Sequence, residues 1–178
     1  MKREKIVFLI YNETVYIKKN NKIDRIKITK NIMKNGRINS INYLVSSLKK
    51  SKNVLSSFFK ILSDEYTMIY FGNYNEYEIN NIKNDFQNSG IEYIKLVDYK
   101  SLLNSKEDDI YIFFNNDYYY ILSKNKKIIL DKFDDVLRYS NSKIIVDQDT
   151  YNNFKKNLSK YRCYIIDNIV NYLFNLIC

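Results

Sequence analysis

The sequence predicts an α/β protein of two small lobes, each with a mixed sheet of three antiparallel meander strands plus parallel βα units flanked by helices. One observation is that the order of three strands followed by αβαβα occurs twice, starting near Lys5 and near Asp109. Another is the continuous apolar run from Ile6 to Tyr11, which is typical of a strand covered on both faces. We place the lobes at residues 1–106 and 107–178.

The first lobe opens with a meander, because polar turns at Asn12-Glu13 and at residues 18–21 separate three β-rich runs. Apolar residues then recur at helical spacing from about Ser40 to Ser63, which predicts one long amphipathic helix. The remaining elements are a strand at 67–71, a second helix, a strand at 91–97 and a helical turn at 99–103.

The second helix of this lobe carries signals at both ends. Asn75 is a suitable N-cap, and Glu78 stands three residues later as its capping-box partner. Gly90 lies where a glycine often ends a helix in the left-handed conformation.

The second lobe repeats the order in a smaller form. We expect strands at 110–114, 118–122, 127–130, 143–146 and 163–166. Asp131 can cap a helix that carries Phe133, Val136 and Leu137, and another helix carries Tyr151, Phe154 and Leu158. The last helix is expected to place Ile169, Leu173 and Leu176 on one face, which would dock on this chain's own sheet or on a partner.

The composition excludes several kinds of chemistry. The chain has 178 residues and a net charge of +9, but 24 of its 29 basic residues are Lys, and Ile, Asn, Lys and Tyr form more than half of it. This is the composition of a protein from an AT-rich genome, so the charge alone is weak support for nucleic-acid binding. Without His there is no catalytic triad and no His-bound zinc. Two cysteines, Cys163 and Cys178, favour a reducing, cytoplasmic setting.

Two stretches resemble a known superfamily. Ile69–Tyr74, followed by a helix and Ser89–Ile94, and the strand-turn-strand-turn-strand from Asp109 to Leu130 are similar to parts of actin-like ATPases. These proteins have a tandem ribonuclease H-like fold. Within them the chain resembles the small cytoplasmic actin-like proteins of type IV pilus and type II secretion assembly platforms.

The chain departs from this superfamily at the loops that hold nucleotide. The resemblance implies an Asp-x-Gly phosphate hairpin at the start of each lobe, but the turns Ile10–Thr14 and Phe113–Asp117 contain no Gly. The glycine pair that contacts adenosine would fall near Val146–Asp149, again without Gly. The resemblance therefore implies a degenerate member that binds no ATP and needs no cofactor.

Several carboxylates and tyrosines leave alternatives open. Asp109, Asp131 and their neighbouring aspartates could bind metal in a nuclease, but the strand Lys5–Tyr11 holds no carboxylate, so solvated loops and helix N-caps are favoured. Asp147 and Asp149 follow a strand end and could contact a ligand, or Asp149 or Thr150 could be an N-cap. The tyrosines at 118–120 could stack on bases or pack in the core.

The function expected is a non-enzymatic scaffold or adaptor that docks protein partners in a membrane-associated assembly. It would be cytoplasmic, at most peripheral at the inner face of the membrane, with no transmembrane segment. The alternatives are a nucleic-acid-binding module with a Lys/Tyr-rich surface and a residual nucleotide-binding enzyme. We predict that partners bind at the loop residues Asn12, Glu13, Asn115, Asn116, Asp117, Tyr118, Tyr120, Asp147 and Asp149.

Overall fold

The structure is a computed structural model that describes most of the chain. The described residues are 5–28, 32–34, 37–50, 65–103, 109–115, 118–123, 126–133 and 143–177. Contacts divide the chain into two units, Met1–Tyr99 and Lys100–Cys178. The predicted boundary between residues 106 and 107 lies a few residues further along, outside the described residues, and stays a prediction.

The first unit is built on a five-stranded mixed sheet. Its strands follow the order β3-β2-β1-β6-β7, in which β1, β6 and β7 are parallel to one another and β2 and β3 are antiparallel. The elements are β1 (Lys5–Tyr11), β2 (Thr14–Lys19), β3 (Lys22–Lys27), β4 (Met33–Lys34), β5 (Arg37–Ile38), α1 (Ile41–Lys50), β6 (Glu65–Tyr70), α2 (Glu76–Asn88) and β7 (Ile94–Asp98).

Strand β1 is central because it is apolar on both faces. On one face, Phe8 makes edge-to-face contacts with Tyr66 and with Phe86, at centroid distances of 6.5 and 6.0 Å. Leu44 of α1 lies in the same buried cluster. On the other face Leu9 is fully buried as well. The continuous apolar run thus became a strand covered on both faces, as predicted.

Helix α2 begins and ends as its sequence predicts. The side chain of Asn75 accepts a hydrogen bond from the Glu78 N–H at 2.9 Å, and Glu78 accepts one from the Asn75 N–H at 2.8 Å. At the other end Gly90 has φ 92°, and its N–H and that of Ile91 donate to carbonyls in the last turn. These bonds form a capping box and a Schellman motif.

The second unit repeats the sheet of the first. Its order β10-β9-β8-β11-β12 has the same arrangement, with β8, β11 and β12 parallel to one another. Helix α3 (Tyr99–Leu102) comes before it. The elements are β8 (Asp109–Asn115), β9 (Tyr118–Leu122), β10 (Lys127–Leu130), β11 (Lys143–Asp147), α4 (Gln148–Asn153), α5 (Lys155–Leu158), β12 (Cys163–Ile166) and α6 (Ile169–Ile177). The predicted fold class of two five-stranded mixed sheets is confirmed.

Two helices of the second unit differ from their predictions. The single helix expected to carry Tyr151, Phe154 and Leu158 is two short helices, since Phe154 leaves helical geometry at φ −119°, ψ 24°. Its ring stacks on Phe133 at 3.7 Å instead. The face of α6 that was expected to dock is buried only in part, since Ile169 and Leu173 are buried, Leu176 is 41% exposed and Phe174 is buried as well.

The first unit also differs from its predictions, and one difference is that β7 begins at Ile94 rather than at residue 91. Strand β2 extends to Lys19, so the turn to β3 is only Asn20-Asn21 rather than residues 18–21. The short hairpin of β4 and β5 was not predicted, because two-residue strands give no periodic pattern. The predicted long helix is described only as α1, and its part at residues 51–63 lies outside the described residues, as do Val136 and Leu137.

Removing the α2 cap tests this account of the first unit. We expect Asn75→Ala to lower the free energy of unfolding by about 1 kcal/mol, because the Glu78 N–H loses its acceptor. Urea denaturation followed by circular dichroism measures this. Asn81→Ala, at an exposed position within the same helix, is the control and should leave stability unchanged or slightly raised. Equal effects of the two changes would contradict the capping role.

Candidate functional site

Ligands of α/β proteins usually bind beyond the carboxyl ends of the parallel strands, and in the first unit this edge is filled by aromatic rings. Tyr11 ends β1, Phe71 follows β6, and Tyr99 follows β7. The rings of Tyr11 and Phe71 lie 5.8 Å apart, and those of Phe71 and Tyr99 lie 4.3 Å apart. All three side chains are buried. The three rings therefore pack in series after the ends of β1, β6 and β7.

The turn from β1 to β2 is a tight two-residue hairpin. Tyr11 pairs with Thr14, and Asn12 and Glu13 between them both have positive φ, 45° and 56°. Two positive φ values are the mark of a type I′ turn, in which glycine and asparagine are the preferred residues. The carbonyl of Glu13 accepts a hydrogen bond from the Ile28 N–H at 2.8 Å, which ties the turn to the end of the meander.

The loop after β6 is held by the β4–β5 hairpin. The Arg37 guanidinium donates to the Glu78 carboxylate at 2.6 Å and to the Asn73 carbonyl at 2.8 Å. The Ile38 N–H donates to the Tyr74 hydroxyl at 2.8 Å. Burial raises the pKa of Tyr74 to about 12, so this phenol stays neutral and acts as an acceptor. The segment that contains Gly72 is therefore fixed by its own chain.

The corresponding edge of the second unit is closed by a hydrogen-bonded network. Asp147, the last residue of β11, is the N-cap of α4 and accepts from the Thr150 N–H at 2.9 Å. Its second oxygen accepts from the Thr150 hydroxyl at 2.7 Å, and that hydroxyl accepts from the Phe114 N–H of β8 at 3.2 Å. The network joins the ends of two parallel strands to the start of α4.

The carboxyl group of Asp147 has a raised pKa. Burial, as the largest effect, raises its pKa above the ordinary value of 3.8, although both hydrogen bonds from Thr150 favour the ionised form. Asp149 and Thr150 were the candidate N-caps; this was wrong, because Asp147 is the residue with extended geometry before the helix. Asp149 is exposed in the first turn.

The predicted partner-binding residues are not one surface. Asn115, Tyr120 and Asp147 are buried, so they hold the second unit together and cannot meet a partner without rearrangement. Exposed or half-buried positions are Asn12, Glu13, Tyr118 and Asp149. Asn116 and Asp117 lie outside the described residues. Binding at the accessible positions stays a prediction.

The described carboxylates and Cys163 bear on metal binding and on thiol chemistry. No group of three or more His, Cys, Asp or Glu side chains there could hold a metal ion. Asp109 instead pairs with Lys143 at 3.5 Å. Burial raises the pKa of the Cys163 thiol, which disfavours the reactive thiolate. In the part of the chain that is described, no helix has the length and apolar character needed to cross a membrane.

Strand pairing forms a basic surface that the sequence pattern did not predict. Strands β2 and β3 pair so that Tyr16 lies opposite Arg25 and Thr14 opposite Lys27. Since side chains alternate along a strand, Lys18, Arg25 and Lys27 share one face of this hairpin. The sequence does carry a signal for this surface. Alternate residues of the two predicted strands share one face, and several of them are basic.

Solved structures show which fold this is. MreB5 of Spiroplasma citri bound to AMPPNP aligns with 72% of this chain and 51% of its own at 11% identity, with a TM-score of 0.51. The apo psk41 ParM protein aligns with 94% of this chain and 93% of its own at 11% identity, with a TM-score of 0.52. No protein-family profile matches the chain. No curated protein matches it either.

These likenesses show the actin-like, ribonuclease H-like fold and, at this identity, the fold alone. The fold expected from the resemblance is confirmed. The chain spans about half the length of the MreB5 structure that it matches.

Replacing Thr150 tests the network of the second unit. Thr150→Val keeps the shape of the side chain but removes the hydroxyl. The Phe114 N–H then loses its bond to that hydroxyl, and one Asp147 oxygen loses the hydrogen bond that it accepts from it. We expect the free energy of unfolding to fall by about 1–3 kcal/mol in urea denaturation. Thr67→Val, in β6 of the first unit, is the matched control and should be neutral or stabilising. A neutral Thr150→Val variant would contradict the network.

The raised pKa of Asp147 predicts a pH dependence. A folded pKa above the unfolded one gives stability that is present when the carboxyl is protonated and is lost as the pH rises through the folded pKa. The unfolding free energy of the wild type relative to Asp147→Asn should therefore fall between acidic and neutral pH. Asp149→Asn, at an exposed position, is the control. A relative stability that rises with pH would mean that the Thr150 bonds dominate over burial.

Proposed function

We propose that this chain is a non-enzymatic scaffold or adaptor that docks protein partners and does not bind ATP. The observation that carries the proposal is that both units close the carboxyl ends of their parallel strands with their own side chains. In the first unit the Tyr11, Phe71 and Tyr99 rings pack there. In the second unit the Asp147–Thr150–Phe114 network lies there.

Phosphate binding usually needs backbone N–H groups that a ligand can approach closely, which is why glycine is common in phosphate loops. The β1–β2 turn has Asn12 and Glu13 in this place, and the turn after Asn115 has no glycine either. The buried carboxyl group of Asp147 is already engaged by Thr150 and does not project toward solvent. A fold with these features is better suited to docking partner proteins than to hydrolysing a nucleotide.

The assembly itself is inferred from the resemblance. The stretches Ile69–Tyr74 and Asp109–Leu130 are similar to actin-like proteins of type IV pilus and secretion platforms. A scaffold of this kind would act on the cytoplasmic side of such a platform. Binding of AMPPNP is a property of the MreB5 structure and does not transfer at 11% identity.

Nucleotide addition tests this proposal. We expect Mg-ATP and Mg-ADP to leave the melting temperature unchanged, because a ligand stabilises only the state that binds it. Spiroplasma citri MreB5, whose crystal structure holds AMPPNP, is the positive control in the same thermal-shift assay. A concentration-dependent rise of several degrees that EDTA abolishes would overturn the proposal and restore a nucleotide-binding protein.

One observation favours a second candidate, nucleic-acid binding. Residues 1–99 hold 17 of the 29 Lys and Arg but only 10 of the 20 Asp and Glu, so most of the net charge lies in the first unit. The β2–β3 hairpin places Lys18, Arg25 and Lys27 on one face beside Tyr16. Cations with an aromatic ring between them suit phosphates and a stacked base.

Salt-titrated binding distinguishes this candidate. If the hairpin binds nucleic acid, the affinity for single-stranded DNA or RNA should fall steeply with salt, and the double variant Arg25→Ala, Lys27→Ala should weaken it and reduce the salt slope by about two. Lys95→Ala, exposed on β7 of the same sheet, is the control. Binding that is undetectable at low salt would leave the scaffold as the better description.

A further inference from the structure

Strand β12 is an edge strand whose surface is apolar. It stands at the end of the order β10-β9-β8-β11-β12, and among the described strands its ladder partner is β11. Tyr164 and Ile165 in its middle are 42% and 41% exposed. Because neighbouring residues point to opposite faces, these two side chains extend the exposed apolar surface on both sides of the edge.

The other sheet edges in the described chain carry charges, and β12 does not. Strand β3 holds Lys22, Asp24, Arg25 and Lys27; β7 holds Lys95 and Asp98; and β10 holds Lys127. Charged residues on an edge discourage pairing with another chain. The four residues Cys163–Ile166 lack that protection, so this edge is the one suited to accept a further strand.

The backbone direction of β12 defines which groups would pair. The Arg162 carbonyl accepts a hydrogen bond from the Ile144 N–H of β11 at 3.2 Å. Backbone groups alternate along a strand, so those of Tyr164 also face β11 and those of Cys163 and Ile165 face away from the sheet. An extended peptide beside β12 would exchange main-chain hydrogen bonds with Cys163 and Ile165.

The charges beside this edge indicate the kind of peptide. In the register of the sheet, Asp109 of β8 lies opposite Lys143 of β11, and Arg162 directly precedes Cys163, which lies opposite Ile144. Asp109 pairs with Lys143, whereas Arg162 is exposed at the outer end of the row with its guanidinium 5.5 Å from the Tyr164 ring centre. Lys143 lies over the same ring at 4.1 Å. A carboxylate on the next strand would complete the row.

The geometry points to a docking site for an extended acidic segment of a partner protein along β12. The segment adds a sixth strand to the second sheet, its main chain pairs with Cys163 and Ile165, and an acidic side chain lies beside Arg162. A second copy of β12 would bring its own Arg162 and Lys143 to the same edge, so it is the poorer occupant. This inference rests on the proposed scaffold function and names the chemistry of its partner.

A charge-swap experiment tests the site. The probes are two short fluorescein-labelled peptides, one of alternating Glu and Val and one of alternating Lys and Val, and fluorescence anisotropy at low salt measures binding to the full chain. We expect the Glu/Val peptide to bind the wild type, and Arg162→Glu to weaken that binding about tenfold while improving binding of the Lys/Val peptide. Arg25→Glu, the same change on the β3 edge, should have no effect.

Two further variants separate backbone pairing from surface charge. Ile165→Pro removes an outward N–H at an edge position that tolerates proline, and it should abolish peptide binding without unfolding the chain. Ile165→Thr keeps the N–H and should retain most of the binding. Retained binding in Ile165→Pro, or a Glu/Val peptide that fails to bind the wild type, would overturn the site.

Two other outcomes have their own meaning. A larger loss in Arg25→Glu than in Arg162→Glu would move acidic-peptide docking to β3 and overturn this inference. Sedimentation equilibrium that shows a dimer lost in Ile165→Pro would make a second copy the occupant and also overturn it. The Mg-ATP thermal shift does not depend on β12, so failure of the docking site and failure of the scaffold proposal are distinguishable.

Discussion

This structure depends on one constraint. In each unit the first strand pairs in parallel with a strand from the βα units that follow. Because β6 pairs in parallel with β1 and β7, and β11 pairs in parallel with β8 and β12, the carboxyl ends of three strands in each sheet meet at one edge. In proteins with such sheets that edge is where ligands bind. Here packed aromatic rings follow these strands in the first unit, and an Asp-Thr hydrogen-bond network follows them in the second.

Much of this fold was predictable because its signals are local. The apolar run of β1 and the Asn75 and Glu78 cap gave the correct element types, and the repeated element order gave the two matching sheets. The helix break at Phe154 was not predictable, since it depends on a ring that stacks on Phe133 from another segment. The same holds for α6, where tertiary packing decides that Phe174 is buried and Leu176 is exposed.

The candidate site was harder to predict than the fold for a physical reason. Asn115, Tyr120 and Asp147 were predicted to bind partners, but all three are buried, and burial is set by the segments that pack over them. The basic face of β2 and β3 arises only when Lys18, Arg25 and Lys27 are brought to one side by strand pairing. The position of β12 at the edge likewise depends on the order of the strands in the sheet, and a sequence pattern does not specify that order.

The measurement that tests the central claim most directly is a titration of the ¹⁵N-labelled chain with Mg-ATP, followed by amide chemical shifts. The account predicts no saturable shifts at Asn12, Glu13 and Gly72 of the first unit or at Asp147 and Thr150 of the second. Saturable shifts that cluster at these positions would show that a nucleotide enters the strand ends, and would contradict the account.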